Sequence, residues 1–283
     1  MATTTLYDRE LHYRDEGSGD DPVVLIHALP LDGSMWEPQL EAFRTRCRLI
    51  APDLAGFGGS QPLPEAEGNL IDRWADDVIG LLGALGIDHA TVVGASLGAD
   101  VALAMTRRAR DAVGGLGLAG LRGDIGPEEA GQRLEQAEWV ANGGDRQSIL
   151  ERLVDDFAGP KSPHRSEVAQ RIHFVATATS TVGWVAALRA MTERPETAAD
   201  LAKVDVPTIF LVGEDDRLAP PDDVRALAAR APEAGVIEIP RAGHLANLDN
   251  PAAFNRALED LLAGREARRS PGKHSWPATP AVH

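Results

Sequence analysis

The stretch ATVVGASLGADVALA, residues 90–104, decides how this chain folds. Its first six residues are uncharged and small or β-branched, which is typical of a strand buried on both faces of a sheet. The alanine- and leucine-rich segment that follows predicts a helix beginning at residue 97. Between the two, Gly94-Ala95-Ser96-Leu97-Gly98 makes so tight a turn that Ser96 is held strained, with its hydroxyl group exposed.

Strands and helices alternate on both sides of this turn. The pattern predicts an N-terminal hairpin at residues 4–6 and 11–14, followed by a series of buried strands and amphipathic helices. The strands are expected at 22–27, 48–52, 90–95, 113–119, 207–213 and 235–240, and the helices at 70–86, 97–108, 222–231 and 251–262. This alternation predicts a mostly parallel sheet of eight strands with helices on both faces.

The middle of the chain lacks this alternation. It carries polar helical stretches that are separated at Gly144 and at Gly159-Pro160, without a convincing strand. We therefore expect a helical cap, residues 120–200, inserted between two parts of a core, residues 1–119 and 201–264. Residues 265–283 have no periodicity and are expected to form a flexible tail.

Composition disfavours several classes of function. The 283 residues carry a formal net charge of −15, which disfavours binding to nucleic acid or to an anionic membrane surface. One cysteine permits no internal disulfide, and the chain shows neither a signal peptide nor a membrane-spanning stretch, so a cytoplasmic protein is expected. No His or Cys cluster has ligand spacing and no loop follows a nucleotide-binding pattern, so neither metal nor cofactor is expected.

A serine at such a turn is a candidate nucleophile, but its hydroxyl group needs a base and the base needs an orienting acid. Among eight histidines, His27 and His244 follow strands, and His173 lies in the expected cap. The loops after parallel strands lie at one edge of a sheet, so His244, preceded by small residues, can reach Ser96.

The acid is left open by spacing alone. Glu214, Asp215 and Asp216 all follow the strand at 207–213, at the same edge as Ser96, and Asp124 is a weaker alternative. The resulting order along the chain is serine, acid, histidine, which is typical of one class of hydrolase.

Acyl transfer also needs backbone donors for a developing oxyanion. The N–H group of Leu97, directly after Ser96, is one candidate, and that of Leu29, in the loop after the strand at 22–27, is the other. Four cap side chains are candidates to line a substrate pocket, although for any single one of them packing within the cap is the better explanation. They are Trp139, Phe157, Trp184 and Met191.

Five motifs together resemble the α/β-hydrolase superfamily. They are HALPLDGSMW (27–36), APDLAGFGGS (51–60), VVGASLGAD (92–100), FLVGEDDRLAPP (210–221) and RAGHLANLDNP (241–251). The resemblance spans about residues 22–262 and is greatest to a subgroup containing 3-oxoadipate enol-lactonases, small esterases and cofactor-free haloperoxidases or perhydrolases.

The resemblance implies roles for individual residues. Ser96 matches the nucleophile, His244 the base, and the pattern Asp-x-x-x-Pro selects Asp216 as the acid. Leu29 and Leu97 match the two oxyanion donors. The family usually has glycine where this chain has Ala28, and often where it has Ala99, which leaves the substrate open rather than the class of reaction.

The sequence therefore predicts a serine hydrolase that cleaves a small carboxylic ester or lactone through an acyl-enzyme. Perhydrolysis and hydrolysis of a carbon–carbon bond are compatible with the same residues. A non-hydrolytic lyase or cyclase on this scaffold is the second hypothesis, and a non-catalytic ligand-binding receptor is the third.

Overall fold

Eight strands form one sheet in the computed structural model, which describes residues 1–64, 68–193, 197–232 and 234–269, with side chains up to residue 264. The strands are β1 (Ala2–Leu6), β2 (Arg9–Glu16), β3 (Val23–Ile26), β4 (Leu49–Pro52), β5 (Ala90–Ala95), β6 (Val113–Ala119), β7 (Thr208–Gly213) and β8 (Gly235–Ile239). Their order across the sheet is β1-β2-β4-β3-β5-β6-β7-β8. Only the pairs β1–β2 and β2–β4 are antiparallel, so the expected mostly parallel sheet is confirmed.

Helices lie on both faces of the sheet and also make up the segment between β6 and β7. They are α1 (Glu37–Phe43), α2 (Leu70–Ala84), α3 (Leu97–Arg108), α4 (Pro127–Ala141), α5 (Gln147–Phe157), α6 (Arg165–Ala178), α7 (Thr181–Ala190), α8 (Thr197–Leu201), α9 (Pro221–Ala228), α10 (Ala246–Asp249) and α11 (Pro251–Arg269). None of the helices in the described part of the chain has the length and hydropathy of a membrane span.

The sheet separates the hydrophobic core into two layers, and successive side chains of β3 point alternately into one layer and the other. Val24 and Ile26 pack into the layer formed with α2 and α3, whereas Val23 and Leu25 pack into the layer formed with α1 and α11. All four side chains are fully buried. A strand buried on both faces needs apolar residues at every position, which is why β3 has no polar alternation.

The described residues between β6 and β7 contain five helices, α4 to α8, and no strand. The helices α4 and α7 pack against each other, as do α5 and α6. This matches the helical character expected for the cap, and the division of the chain at residues 120 and 200 stays a proposal.

Several helices differ from the expectation. The helix α10 is not indicated by the sequence patterns, and α9 ends at Ala228 and not at residue 231. The sequence patterns do not indicate α1, which begins at Glu37 with Pro38 in its first turn. The last helix, α11, is expected to end at residue 262 and in fact continues to Arg269, because arginine, glutamate and alanine are good helix formers even without an apolar pattern. The expected helix end at residue 262 is therefore wrong. The flexibility of the tail stays a prediction, and residues 270–283 lie outside the described residues.

The strand order reverses between β3 and β5. The chain passes from β3 to β4 on one side and then returns to place β5 on the other side of β3. Helices connected on opposite faces leave a crevice at such a point, outside the carboxyl ends of the two strands. The loop after Ile26 and the turn after Ala95 both open into this crevice.

The turn into α3 requires glycine at two positions. A Cβ atom on Gly94 would overlap the backbone of Gly98, and a Cβ atom on Gly98 would overlap the carbonyl oxygen of Ile26 at the end of β3. Because every obstructing atom belongs to the backbone, no side-chain rotation relieves the overlap. The close packing of α3 on β3 therefore depends on these glycines.

We expect Gly98→Ala to destabilise the protein by about 1–3 kcal/mol, since the added methyl group displaces α3 from β3. Gly83→Ala is a matched control, because Gly83 is an exposed residue of α2 and a Cβ atom added there would have no neighbouring atom within 4 Å. The control should be neutral or stabilising by roughly 0.5–1 kcal/mol. Denaturant unfolding measures both, and equal effects of the two substitutions would contradict the argument.

Candidate active site

Ser96 occupies the turn between β5 and α3. Its backbone has φ 52° and ψ −119°, a conformation that costs free energy for a residue with a side chain. Its N–H group donates to the carbonyl oxygen of Ala119 at 2.8 Å, so the turn stays attached to β6. The side chain is half-buried and lines a cavity at the carboxyl edge of the sheet.

His244 lies in the loop after β8 and contacts Ser96. Its Nε2 atom is 2.9 Å from the Oγ atom of Ser96, and its Nδ1 atom is 2.9 Å from the Oδ2 atom of Asp216. A carboxylate can only accept hydrogen bonds, so Nδ1 carries the proton and donates it to Asp216. The Nε2 atom is then an acceptor for the Ser96 hydroxyl group, which is the arrangement required of a general base.

Asp216 is fixed by the backbone that follows it. Its Oδ1 atom accepts hydrogen bonds from the N–H groups of Leu218 and Ala219, both at 2.9 Å, which leaves Oδ2 directed at His244. The side chains of Asp216 and His244 are almost completely buried. A buried carboxylate with three hydrogen bonds holds the imidazole ring in one orientation and one tautomer.

The contacts of the candidate acids distinguish Asp216 from the others. Glu214 accepts from the N–H group of Arg241, and Asp215 pairs with Lys161 at 2.9 Å. Asp124 accepts from a backbone N–H group at the start of α8. Of these acids, Asp216 is the one that contacts His244.

His27, the alternative base, forms hydrogen bonds with backbone groups. Its ring is fully buried, its Nε2 atom accepts from the N–H group of Leu54 at 2.9 Å, and its Nδ1 atom donates to the carbonyl oxygen of Ala28. Burial lowers the pKa of His27 below its usual value, although the nearby Asp53 opposes the shift. The neutral ring therefore joins the loop after β3 to the loop after β4.

The two expected oxyanion donors lie on either side of the crevice. Leu97 lines the same cavity as Ser96, and its N–H group is the first of α3, a position without an intrahelical acceptor. Leu29 lies in the loop after β3 and is buried, but it does not line that cavity. The role of both N–H groups remains a prediction.

Two of the four cap candidates lie at the site. The Phe157 ring is centred 5.3 Å from the His244 ring, and Met191 lines the cavity beside Ser96. Trp184 is buried in the cap, where its N–H group donates to Ala176, and is not part of the cavity lining.

The expectation for Trp139 is wrong. It lies on α4 between the buried residues Ala137 and Val140, and this places its side chain on the outer face of the helix, where it is 43% exposed. It packs over the turn at Gly144 instead of facing Ser96.

Sequence reasoning missed two charged residues of the cavity. Arg122 and Arg133 line it together with Ile125 and Asp100. Arg122 follows the end of β6 by three residues, and this position at the carboxyl edge could have marked it as a candidate. Arg133 lies in the middle of α4, where nothing in the local pattern distinguishes it from a solvent-facing residue.

A second buried carboxylate connects the cap to the histidine loop. The Oδ2 atom of Asp249 accepts from the N–H groups of Gly159, in the cap, and Gly243, next to His244, both at 2.7 Å. The N–H group of Leu245 donates to the cap carbonyl of Phe157 at 3.1 Å. The loop that carries His244 is therefore connected to the cap directly through Leu245 and indirectly through Asp249.

We expect Asp249→Leu to lose roughly 2–6 kcal/mol of unfolding free energy, because it leaves two buried N–H groups without an acceptor. Asp249→Asn keeps an oxygen that can accept both hydrogen bonds and should lose much less. Denaturant unfolding of the two variants measures the difference. Similar losses for leucine and asparagine would mean that the hydrogen bonds to Gly159 and Gly243 contribute little.

Burial raises the pKa of Asp249 above its usual value, although the hydrogen bonds from Gly159 and Gly243 oppose the shift. The folded protein thus binds this proton more tightly than the unfolded chain, and the resulting stabilisation is lost as pH rises through the raised pKa. Asp249→Asn removes this dependence. The stability of the wild type relative to Asp249→Asn should therefore fall as pH rises above the ordinary pKa of an aspartate, about 3.9, and a constant difference would contradict the shift.

The described residues contain no group of three or more His, Cys, Asp and Glu side chains arranged to hold a metal ion. The site consists instead of a serine, a histidine and a carboxylate in one hydrogen-bonded row, at the carboxyl edge of a mostly parallel sheet. This combination of fold and site defines a class of hydrolase.

Comparison with known proteins identifies the family. The model of the alpha/beta hydrolase family matches residues 23–257, and the chain belongs to this family. The 2-hydroxymuconate semialdehyde hydrolase of Pseudomonas putida is 31% identical over 280 residues, covering 93% of this chain and 94% of the relative. The family expected from the motifs is thereby confirmed.

Two solved structures show the same fold along nearly the whole chain. A thermophilic esterase from Thermogutta terrifontis, solved with malate bound, has a TM-score of 0.86 and 33% identity, covering 93% of this chain and 97% of its own. The enol-lactonase from Burkholderia xenovorans LB400 has a TM-score of 0.83 and 26% identity, covering 93% and 100%. The relatives thus include the enol-lactonases that the motifs resemble.

Proposed function

We propose that this protein is a serine hydrolase that cleaves a small carboxylic ester or lactone. The observation that carries the proposal is the continuous hydrogen-bonded row of Asp216, His244 and Ser96, with both heavy-atom distances at 2.9 Å. The strained turn exposes the serine to the cavity, and the buried carboxylate fixes the histidine. Together these features activate an otherwise weak nucleophile.

The first half of the reaction forms an acyl-enzyme. The Nε2 atom of His244 takes the proton of the Ser96 hydroxyl group as Oγ attacks the carbonyl carbon of the substrate. The N–H groups of Leu29 and Leu97 stabilise the negative charge that develops on the carbonyl oxygen. The tetrahedral intermediate then expels the alkoxide, which receives the proton from His244.

The second half releases the acid. His244 takes a proton from a water molecule, whose oxygen attacks the acyl carbon, and the proton passes to Ser96 as the serine ester breaks. Asp216 stabilises the imidazolium ion that forms in each half. The proposal requires a small-molecule substrate, and it involves neither nucleic acid nor a membrane, in the cytoplasmic setting expected from the sequence.

Hydrolysis of a carbon–carbon bond is a second candidate. The Pseudomonas putida relative, at 31% identity, is a semialdehyde hydrolase, and the solved relatives are an esterase and a lactonase. The same serine, histidine and oxyanion donors serve both reactions, since each places negative charge on a carbonyl oxygen. A panel of esters, lactones and vinylogous diketones distinguishes the two candidates. Consumption of the esters or lactones would support ester hydrolysis, and consumption of the diketones would support hydrolysis of a carbon–carbon bond.

The activated serine can be tested directly by intact-protein mass spectrometry after exposure to a fluorophosphonate. The wild type should gain one adduct, and Ser96→Ala should gain none, because His244 activates this one hydroxyl group. No adduct on the wild type would contradict the proposal and favour a ligand-binding receptor. An adduct on Ser96→Ala would place the nucleophile elsewhere.

The role of Asp216 is tested by comparing it with its neighbour. Asp216→Asn should lower kcat by about 10⁴-fold, since the amide no longer holds the required histidine tautomer. Asp215→Asn, at a residue that pairs with Lys161, should change kcat little. If Asp215→Asn were the more damaging change, the assignment of the acid would be wrong.

A further inference from the structure

Two arginines line the cavity that contains Ser96, in a protein whose net charge is negative. Arg122 comes from the loop after β6 and Arg133 from the cap helix α4, and both line the cavity that contains Ser96 and Leu97. Their side chains are 23% and 17% exposed, so both are largely removed from solvent. Arginine is seldom buried without a structural or binding reason.

The two guanidinium groups are held by one carboxylate. Arg122 donates to both oxygens of Glu129, at 2.7 and 3.1 Å, and Arg133 donates to one of them at 2.7 Å. The hydrogen bond from Arg122, aided by Arg133, holds the pKa of Glu129 at about 2. Glu129 is therefore ionised at any ordinary pH, and the group of three carries one net positive charge.

A second donor of Arg133 faces the cavity wall. Its Nη1 atom lies 2.8 Å from the sulfur of Met191, which itself lines the cavity. A thioether is a weak acceptor, whereas a carboxylate forms short, charge-assisted and often bidentate bonds with guanidinium. A substrate carboxylate at this position would replace the weaker contact with a stronger one.

Asp100 is the negative group of the same lining. It also lines a neighbouring cavity that contains Arg107 and Asp200, so it lies in the wall between the two spaces. The remaining lining near the serine is apolar, with Leu97, Ile125 and Met191. The cavity lining thus combines apolar side chains with two guanidinium groups and one carboxyl group.

We propose that Arg122 and Arg133, braced by Glu129, form an anion subsite that selects substrates carrying a carboxylate remote from the bond that is broken. The inference rests on the proposed hydrolase function and narrows its substrate class to half-esters, ester acids or lactone acids. Arg122 and Arg133 are specificity-determining residues that bind the substrate and take no part in proton transfer. Glu129 is a positioning residue, because it acts through the two guanidinium groups.

The test compares two matched pairs of esters that differ only in charge. Mono-4-nitrophenyl adipate and its methyl ester place the carboxylate in the acyl part, and 4-acetoxybenzoate and its methyl ester place it in the leaving group. For each ester, kcat/KM is divided by the rate constant for its hydrolysis by hydroxide, which corrects for intrinsic reactivity. In at least one pair, this ratio should be higher for the anionic ester by about tenfold or more. Equal or lower values for the anion in both pairs would overturn the proposal.

The variants Arg122→Gln and Arg133→Gln should reduce this preference, mainly by raising KM for the anionic ester. Arg133→Lys keeps the charge but loses the planar fork, and should retain an intermediate preference. Arg110→Gln removes the same charge from a residue paired with Asp205 near the start of β6, at the opposite edge of the sheet, and should retain the full preference. An undiminished preference in both glutamine variants would also overturn the proposal.

Binding without turnover separates this inference from the hydrolase proposal. Calorimetry on Ser96→Ala should detect binding of adipate but not of 1,6-hexanediol, and Arg133→Gln in that background should abolish it. Adipate binding without any ester turnover would support the subsite while contradicting the hydrolase. Ester turnover with neither adipate binding nor an anion preference would support the hydrolase and contradict the subsite.

Discussion

The packing of the first turn of α3 against the end of β3 is the constraint on which the site depends. A methyl group on Gly98 would overlap the carbonyl oxygen of Ile26, so the helix can approach this strand only through a glycine. This approach places Ser96 next to the loop that carries Leu29, at the point where the strand order reverses. This packing brings the proposed nucleophile, Ser96, and the two proposed oxyanion donors, Leu29 and Leu97, to the crevice between β3 and β5.

Two buried carboxylates then fix the base in different ways. Asp216 accepts from the ring of His244 and determines its tautomer, whereas Asp249 accepts from backbone N–H groups on either side of the boundary between cap and core. The first contact acts on the chemistry of the ring and the second on the position of its loop. Because Asp249 accepts from Gly159 as well as from Gly243, the same carboxyl group connects the cap to the loop that carries His244.

The features that follow local patterns could be predicted from the sequence, and those that depend on tertiary placement could not. The bounds of β5, α3 and β6 agree with the patterns, since a buried strand or an alanine-rich helix needs only neighbouring residues to be recognised. Asp216 emerged from a family motif, because three adjacent acids are equivalent by spacing. The face of α4 that carries Trp139 depends on how the cap meets the core, and so does the meeting of Arg122 with Arg133.

Arg122 and Arg133 are positively charged, whereas the net charge of the whole protein is negative. A chain with a net charge of −15 repels anions at long range and slows their approach. At physiological ionic strength, however, charges in solvent are screened over about 8 Å, so distant surface carboxylates contribute little within a cavity. Buried guanidinium groups are screened much less, and their contact with a substrate carboxylate is short-ranged and directional. In the proposed subsite, Arg122 and Arg133 therefore act on selectivity among bound substrates, whereas the surface charge affects the rate at which anions arrive.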